Sequence, residues 1–420
     1  MPDRPALLRK DDMAKIKMAD PFAFTRELAK KDKKLHILSG GKAILEKYEV
    51  RGAFSTGCYP LDVSISPHHP GLPWGRLSEG YGLTSKGKST MGESALIECQ
   101  KVVYNKTLPG VPVLLKFEGD FSPPRFAALG GDIDRLIIIE AHHMEGGLEQ
   151  LDRWLQAQYK EFGKELPILV DWDSVAASRT EAEMDADHYG PGQIGGQARC
   201  LSTNLPYFTD LISYSHTHIL MLNQVRHKMN ELNNPYAQRN PQANQPQPTG
   251  GFAPGFYASV RIEMRDIGRI HEHSDDKKSD AVYTPLGDQV QMQMIKNKVG
   301  PPWRKVVVPI YYRYGFDDKE SWMIHLENRG IVEGKGGGHY KAEIPGFPPI
   351  QFYKNTGWKR HLENPEFCEA VKACILDLAR KESGLVVEAP ADVDLEAIEM
   401  GTGVTQDAVE PETVTEESDQ

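Results

Sequence analysis

The sequence predicts an α/β protein with a mostly parallel central sheet. Short apolar runs with strand character, at 77–81, 111–117, 136–140 and 167–170, alternate with segments of helical period. Such alternation builds parallel sheets. Between the first run and a helix lies Gly82-Leu83-Thr84-Ser85-Lys86-Gly87-Lys88-Ser89, which fits G-x-x-x-x-G-K-[ST] without mismatch. Downstream, another run ends in Asp171-Trp172-Asp173-Ser174. An acidic strand end suits a hard cation beside a phosphate.

Composition bounds the class. At 420 residues, 26% charged and 40% hydrophobic, the chain is expected to be soluble, globular and built of more than one domain. No stretch approaches the ~20 apolar residues of a membrane span. The opening MPDRPALLRKDD has no apolar core of a secretory signal, so a cytoplasmic protein is expected. Five scattered cysteines without C-x-x-C spacing are expected to be reduced thiols, neither disulfides nor zinc ligands. The net charge of −10 is uneven: residues 388–420 carry eleven carboxylates and no Lys or Arg, which leaves +1 for residues 1–387. The first 50 residues hold twelve Lys/Arg against eight Asp/Glu, a net +4. A near-neutral body with an acidic tail leaves a polyanionic partner open.

In chain order, residues 1–52 read as a basic helical arm with Phe22, Phe24 and Leu28 as apolar points, a solvated surface helix being the plainer alternative. Residues 53–74 are turn-rich, and His68 and His69 read as loop residues. In the 82–89 segment the glycines let successive N–H groups curl round an anion. A helix starting near Lys88 adds its positive end. Lys88 then reaches the β- and γ-phosphates of a nucleotide, and the Ser89 hydroxyl is a hard ligand for Mg²⁺.

A helix over 90–104 leads to a strand over 111–117 that ends at Glu118-Gly119-Asp120. A helix over 123–129 and a strand over 136–140 precede an amphipathic helix over 147–162. At the acidic strand end, Asp171 and Asp173 are expected on opposite faces, with Asp173 toward the nucleotide. Gly-rich residues 181–197 read as a mobile loop, followed by a helix over 199–213. The strand 218–222 ends at Asn223-Gln224, a C-terminal strand edge where ligands gather in open α/β sheets. Residues 225–251 are long, apolar-poor and carry Arg226, His227, Lys228 and Arg239; they suit a flexible contact to a polyanion, a tolerated insertion being the alternative. Strands are expected at 257–265, 289–296 and 306–312, with an exposed charged excursion at 271–280. A smaller unit spans 321–384, and residues 385–420 lack the apolar content to fold.

Taken together, these blocks resemble RecA-type recombinases. STGCYPLDVSISPHHPGLPWGRLSEGYGLTSKGKST resembles the entry to that family's ATPase core, and KFEGDFSPPRFAALGGDIDRL follows it. VDWDSVAAS resembles the Walker B strand, and HILMLNQVRHKM, TGGFAPGFYASVRIEMRDIG and MIKNKVGPPWRK come in the family's order. The resemblance covers residues 53–330 and continues more weakly to about residue 380.

The resemblance implies an N-terminal polymerisation arm (1–52), a RecA-type core (53–320), a small α/β C-terminal domain (321–384) and a disordered acidic tail (385–420). It implies ATP and Mg²⁺, with Gly82, Leu83, Thr84, Ser85, Lys86, Gly87, Lys88, Ser89, Thr90 and Asp173 around the nucleotide and Ser89 and Asp173 on the metal. Glu118 would orient the attacking water, Gln224 would sense the γ-phosphate, and Lys296 and Lys298 would reach a neighbouring subunit's ATP. It implies two DNA-binding loops, 181–197 and 225–251, with Arg199, Arg226 and Lys228 on matching basic positions and Ile194, Gly195, Met229, Gly250 and Gly251 beside them. Phe256 would couple neighbouring subunits. The implied activity is a DNA-stimulated ATPase that forms a filament on single-stranded DNA and exchanges strands with duplex DNA. Single-strand-binding and loader proteins are the further partners implied. A ring motor of helicase type and a non-catalytic mediator are the rival readings. Arg125 stands where relatives carry an aromatic, Gly119 follows Glu118, Pro206 takes a usually basic position, and Asp171 and Trp172 replace aliphatics. These departures are expected of a divergent, virus-encoded member.

Overall fold

The structure, a computed structural model, describes Thr25 and residues 49–117, 121–185, 195–226, 247–271, 285–353 and 357–384. Most of the expected N-terminal arm, Glu118, Ile194, Lys228, Met229, most of the second loop, nearly all of the charged excursion and the acidic tail lie outside these residues. The side chain of Arg226 does too.

Among the described residues, ten strands form the main sheet. They are β1 (Arg76–Gly82), β2 (Val111–Lys116), β3 (Ile137–Glu140), β4 (Ile168–Asp173), β5 (Thr217–Arg226), β6 (Gln247–Pro248), β7 (Val260–His271), β8 (Pro285–Asn297), β9 (Lys305–Tyr311) and β10 (Gly315–Phe316). Their order is β10-β9-β8-β7-β1-β5-β4-β2-β3, with β6 paired to β5. The run β7-β1-β5-β4-β2-β3 is parallel, and β8, β9 and β10 continue it antiparallel. The sheet is thus mixed, with the expected parallel part running from β7 to the edge strand β3 and the antiparallel strands at the other edge.

Both faces of the parallel part are covered, which explains its near-continuous apolar strands. Along β4, Ile168, Val170 and Trp172 enter one core with Leu115, Met221 and Leu205, while Leu169 enters the other with Leu96, Leu220 and Met264. Helix α2 (Lys88–Lys101) lies on the second face; α4 (Met144–Phe162) and α5 (Gly196–Ile212) lie on the first. Glycine lets α2 come close: a Cβ at Gly80 of β1 would run into Met91 of that helix. Two further helices frame the core, α1 (Tyr59–Ile65) before the sheet and the short α3 (Pro123–Ala128) after β2.

Two of the boundary shifts have a clear cause. The strand expected from residue 257 begins at Val260, because Tyr257 closes a short helix, α6 (Ala253–Tyr257), whose first turn holds Pro254 where no N–H is required. Strand β5 runs on through Asn223 and Gln224 to Arg226, since β6 supplies an antiparallel partner there.

Beyond the sheet, α7 (Asp318–Glu327) begins at the side chain of Asp317, which accepts a hydrogen bond from the Glu320 N–H at 3.0 Å. A three-stranded antiparallel sheet follows: β11 (Val332–Gly336), β12 (His339–Ala342) and β13 (Ile350–Tyr353). Asn364 caps α8 (Pro365–Glu382) by accepting from Glu366 N–H. Trp322, Phe352, Trp358, Phe367 and Val371 form a third apolar cluster with Val63 of α1. Among the described residues, no helix is long and apolar enough to cross a membrane.

Candidate nucleotide site

Strand β1 delivers the chain at Gly82 to a turn that ends in α2. Gly87, the N-cap, has φ +81°, a left-handed conformation that favours glycine. No side chain caps the helix there, so its first N–H groups face the pocket in front of it. Lys88 is buried and donates to the carbonyls of Gly82 (3.2 Å) and Leu83 (2.7 Å), which holds its ammonium inside the turn.

A pocket of about 470 Å³ opens on this turn. Thr84, Ser85, Lys86, Gly87, Lys88, Ser89 and Thr90 line one side; Asp171, Asp173 and Gln224, from neighbouring strand ends, line another. Arg125, Asp288 and Tyr312 stand farther round the rim. Leu83 is not among the lining residues and half its side chain faces solvent. Lys86 is ion-paired with Asp266 at 2.5 Å. Gln224 pairs in register with Gly82, so it sits beside the phosphate turn.

The expectation that Asp171 and Asp173 face opposite ways is corrected. Side chains alternate along a strand, so residues two apart share a face, and both carboxylates line the pocket. Asp171 lies deeper. It is buried, its Oδ1 has no hydrogen-bond partner, and Gly92 of α2 leaves the gap its carboxyl fills. Burial, with Asp173 and Glu93 adding like charge, holds Asp171 well above the usual carboxylate range. Glu93 is also raised by burial, against the ion pair that it makes with Arg125. The Arg125 guanidinium donates in addition to the Thr90 hydroxyl at 2.8 Å.

The residues fit a magnesium–nucleotide. An uncapped helix N-terminus suits phosphate oxygens, a buried lysine suits their charge, and the Ser89 hydroxyl and Asp173 carboxylate are hard oxygen donors suited to Mg²⁺. Among the described residues no group of three His, Cys, Asp or Glu is placed to hold a metal ion.

Lys298 and Phe256 lie elsewhere, in a separate cavity of about 880 Å³ with His68, His69, Arg76 and Tyr257. Lys296 donates to the carbonyls of Gly255 and Phe256, both at 2.8 Å. Burial, then Lys298 and Arg261, lower its pKa. Phe256 is 69% exposed, which leaves an aromatic face in solvent next to two lysines. Gly195 is the N-cap of α5 and Arg199 stands exposed in that helix's first turn. A Cβ at Gly250 would press on Leu201, and one at Gly251 on Ala198. The flanks of the two expected loops therefore meet on α5.

Some groups escaped the sequence reading. Glu93 carries no local motif, and Glu79 and Arg261 meet only because distant strands pair.

The comparisons agree with this geometry. The RecA N-terminal domain family matches residues 25–317. Protein RecA of Leptospira meyeri is 30% identical over 77% of this chain and 74% of its own length. Protein RecA of Xanthomonas campestris pv. campestris strain B100 is 31% identical over 72% and 78%. That of Acinetobacter baylyi is 30% identical over 77% and 82%. With the phosphate turn, the acidic strand end and the sheet order in place, the chain belongs to the RecA family.

Proposed function

We propose that this protein is an ATP-dependent DNA recombinase. It forms a filament on single-stranded DNA, pairs that strand with a homologous duplex and hydrolyses ATP as DNA stimulates it. The observation that carries the reading is the position of Gln224. It lines the nucleotide pocket and lies in the strand that leads directly into the long 225–251 segment. A change at the γ-phosphate therefore has a short covalent path to that segment.

In this reading Lys88, Ser89 and the turn's N–H groups hold the triphosphate, and Asp173 with Ser89 would hold Mg²⁺, which supplies charge neutralisation. Glu118 orients a water whose oxygen attacks the γ-phosphorus. The bond to the β-bridging oxygen breaks, and ADP and phosphate leave. Lys296 and Lys298 act on a neighbouring subunit's nucleotide, and Phe256 meets that neighbour. The two loops hold DNA chiefly by its backbone, so binding weakens with salt. The 321–384 unit is a separate C-terminal domain.

The test is ATP hydrolysis with and without single-stranded DNA, with Lys88→Ala as control. Strong stimulation is expected, with the variant down about 100-fold or more. Hydrolysis indifferent to DNA would overturn the DNA-dependent reading. Closed rings instead of helical filaments in electron micrographs would overturn the recombinase in favour of a ring motor.

A further inference from the structure

On the face of the sheet away from α2, the neighbouring strands β5, β1, β7 and β8 carry a line of polar side chains. Glu79, fully buried in β1, receives two charge-assisted hydrogen bonds: Asn223 Nδ2 donates to its Oε1 at 2.9 Å and Arg261 Nε to its Oε2 at 2.6 Å. Arg261 is directly opposite Glu79 in the β7–β1 register, and Lys296 is directly opposite Arg261 in the β7–β8 register. The Arg261 guanidinium also lies over the Tyr81 ring, 4.9 Å from its centroid.

Each end of this line is attached to a different part of the machinery. Asn223 precedes Gln224 of the nucleotide pocket. Its amide holds Thr249 twice, donating to the carbonyl at 2.9 Å and accepting from the hydroxyl at 2.6 Å. Thr249 directly follows β6, the strand that returns the chain to the sheet, and stands ahead of Gly250 and Gly251. At the other end, a Cβ at Gly255 would press on the Arg261 guanidinium, and Lys296 holds the Gly255 and Phe256 carbonyls. Among the described residues Glu79 is bonded to both sides, and residues 77–82 of β1 around it are buried. A buried network with each acceptor oxygen filled is stiff and has few alternative arrangements.

We propose that Glu79 is a positioning residue that couples the nucleotide pocket to the segment 247–258, setting Thr249 through Asn223 and the Phe256 helix through Arg261. The inference rests on the ATPase reading above, but its input is nucleotide binding and its output is order in 247–258, so neither needs DNA. A shift of Gln224 on binding a triphosphate moves Asn223, and the two Glu79 bonds carry that shift to both attachments. Coupling of this kind requires a physical element whose state both sites bias. Glu79→Gln keeps the shape but replaces one acceptor oxygen with a donor, so one of the two bonds is lost.

The experiment uses the full chain. Hydrogen exchange over 247–258 is compared with ADP and with a slowly hydrolysed ATP analogue, while a fluorescent nucleotide reports occupancy. In the parent, the analogue is expected to slow exchange in this segment by about fivefold or more relative to ADP. In Glu79→Gln that difference is expected to vanish, with nucleotide affinity within about threefold of the parent. A folded Glu79→Gln that keeps the difference overturns the proposal, as does a nucleotide-loaded parent that shows none. Should Glu79→Gln fail to fold, Thr249→Val removes one bond at the rim and is expected to shrink the difference. An unchanged difference there overturns the proposal equally. DNA stimulation is read in parallel: its absence in the parent counts against the DNA-dependent ATPase alone. A parent that binds no nucleotide takes down both.

Discussion

Glu79 and Asp171 are both buried carboxylates of the central sheet, one on each face. On the face away from α2, Glu79 has both oxygens filled, by Asn223 and by Arg261. On the nucleotide face, Asp171 has an oxygen with no partner and two acidic neighbours, Asp173 and Glu93. Burial is nearly equal, so burial does not set what each contributes; the partners do. A paired charge is costly to disturb, whereas an unpaired carboxyl is costly to keep.

The largest expected effect comes from breaking the paired side. Arg261→Met keeps the aliphatic stem but leaves Glu79 without its cation. A buried pair that loses one member costs on the order of 3 kcal/mol, read as a drop in the urea midpoint at constant slope. Glu79→Met/Arg261→Met should recover part of that loss, because no charge then remains unpaired. A single variant as stable as the parent would mean that Glu79 is not held as the geometry says.

The unpaired side should respond with the opposite sign. Asp171→Val removes a carboxyl that lacks a donor and restores the aliphatic character expected of such a strand. A gain of about 1–3 kcal/mol is expected, seen as a higher urea midpoint. A loss of stability would show that the Asp171 carboxyl has partners the geometry does not give it. Nucleotide affinity measured on the same variant sharpens the comparison. If the carboxyl merely fills the gap at Gly92, affinity holds while stability rises.

The two faces also differed in what could be read from the chain. The phosphate turn was legible because its chemistry is local: Gly82 to Ser89 is one continuous segment whose spacing is its function. Asp173 and Gln224 were legible because both terminate apolar runs, and the parallel sheet followed from the alternation of those runs. Glu79 was not, because its partners lie 144 and 182 residues away and only strand order brings them together. Arg125 was singled out by the residue it replaces, yet its pairing with Glu93 and Thr90 needed the fold. The error over Asp171 was of another kind. The strand was read correctly, but its period of two puts both carboxylates on one face.

A third buried carboxylate tests the middle case, donors without a cation. Asp62 of α1 accepts from Ser55 Oγ (2.6 Å), Thr56 N–H (2.8 Å) and Thr56 Oγ1 (2.6 Å). Burial still outweighs these donors and raises its pKa from 3.8 to about 7. The folded pKa is then above the unfolded one, so the native state binds the extra proton. The stabilisation is complete below the unfolded value and lost as pH rises through about 7. Between pH 6 and pH 8 the group should remove about 1.4 kcal/mol, less than the Arg261 substitution and toward the low end of the Asp171 range. Asp318, raised to about 6 by burial, adds to the lower part of that window. Asp62→Asn keeps an acceptor for Thr56 but cannot ionise, so its urea midpoint should fall less between these pH values than the parent's. An equal fall in both would mean that three donors are enough to keep a buried carboxylate charged, and that Asp62 belongs with Glu79 rather than between it and Asp171.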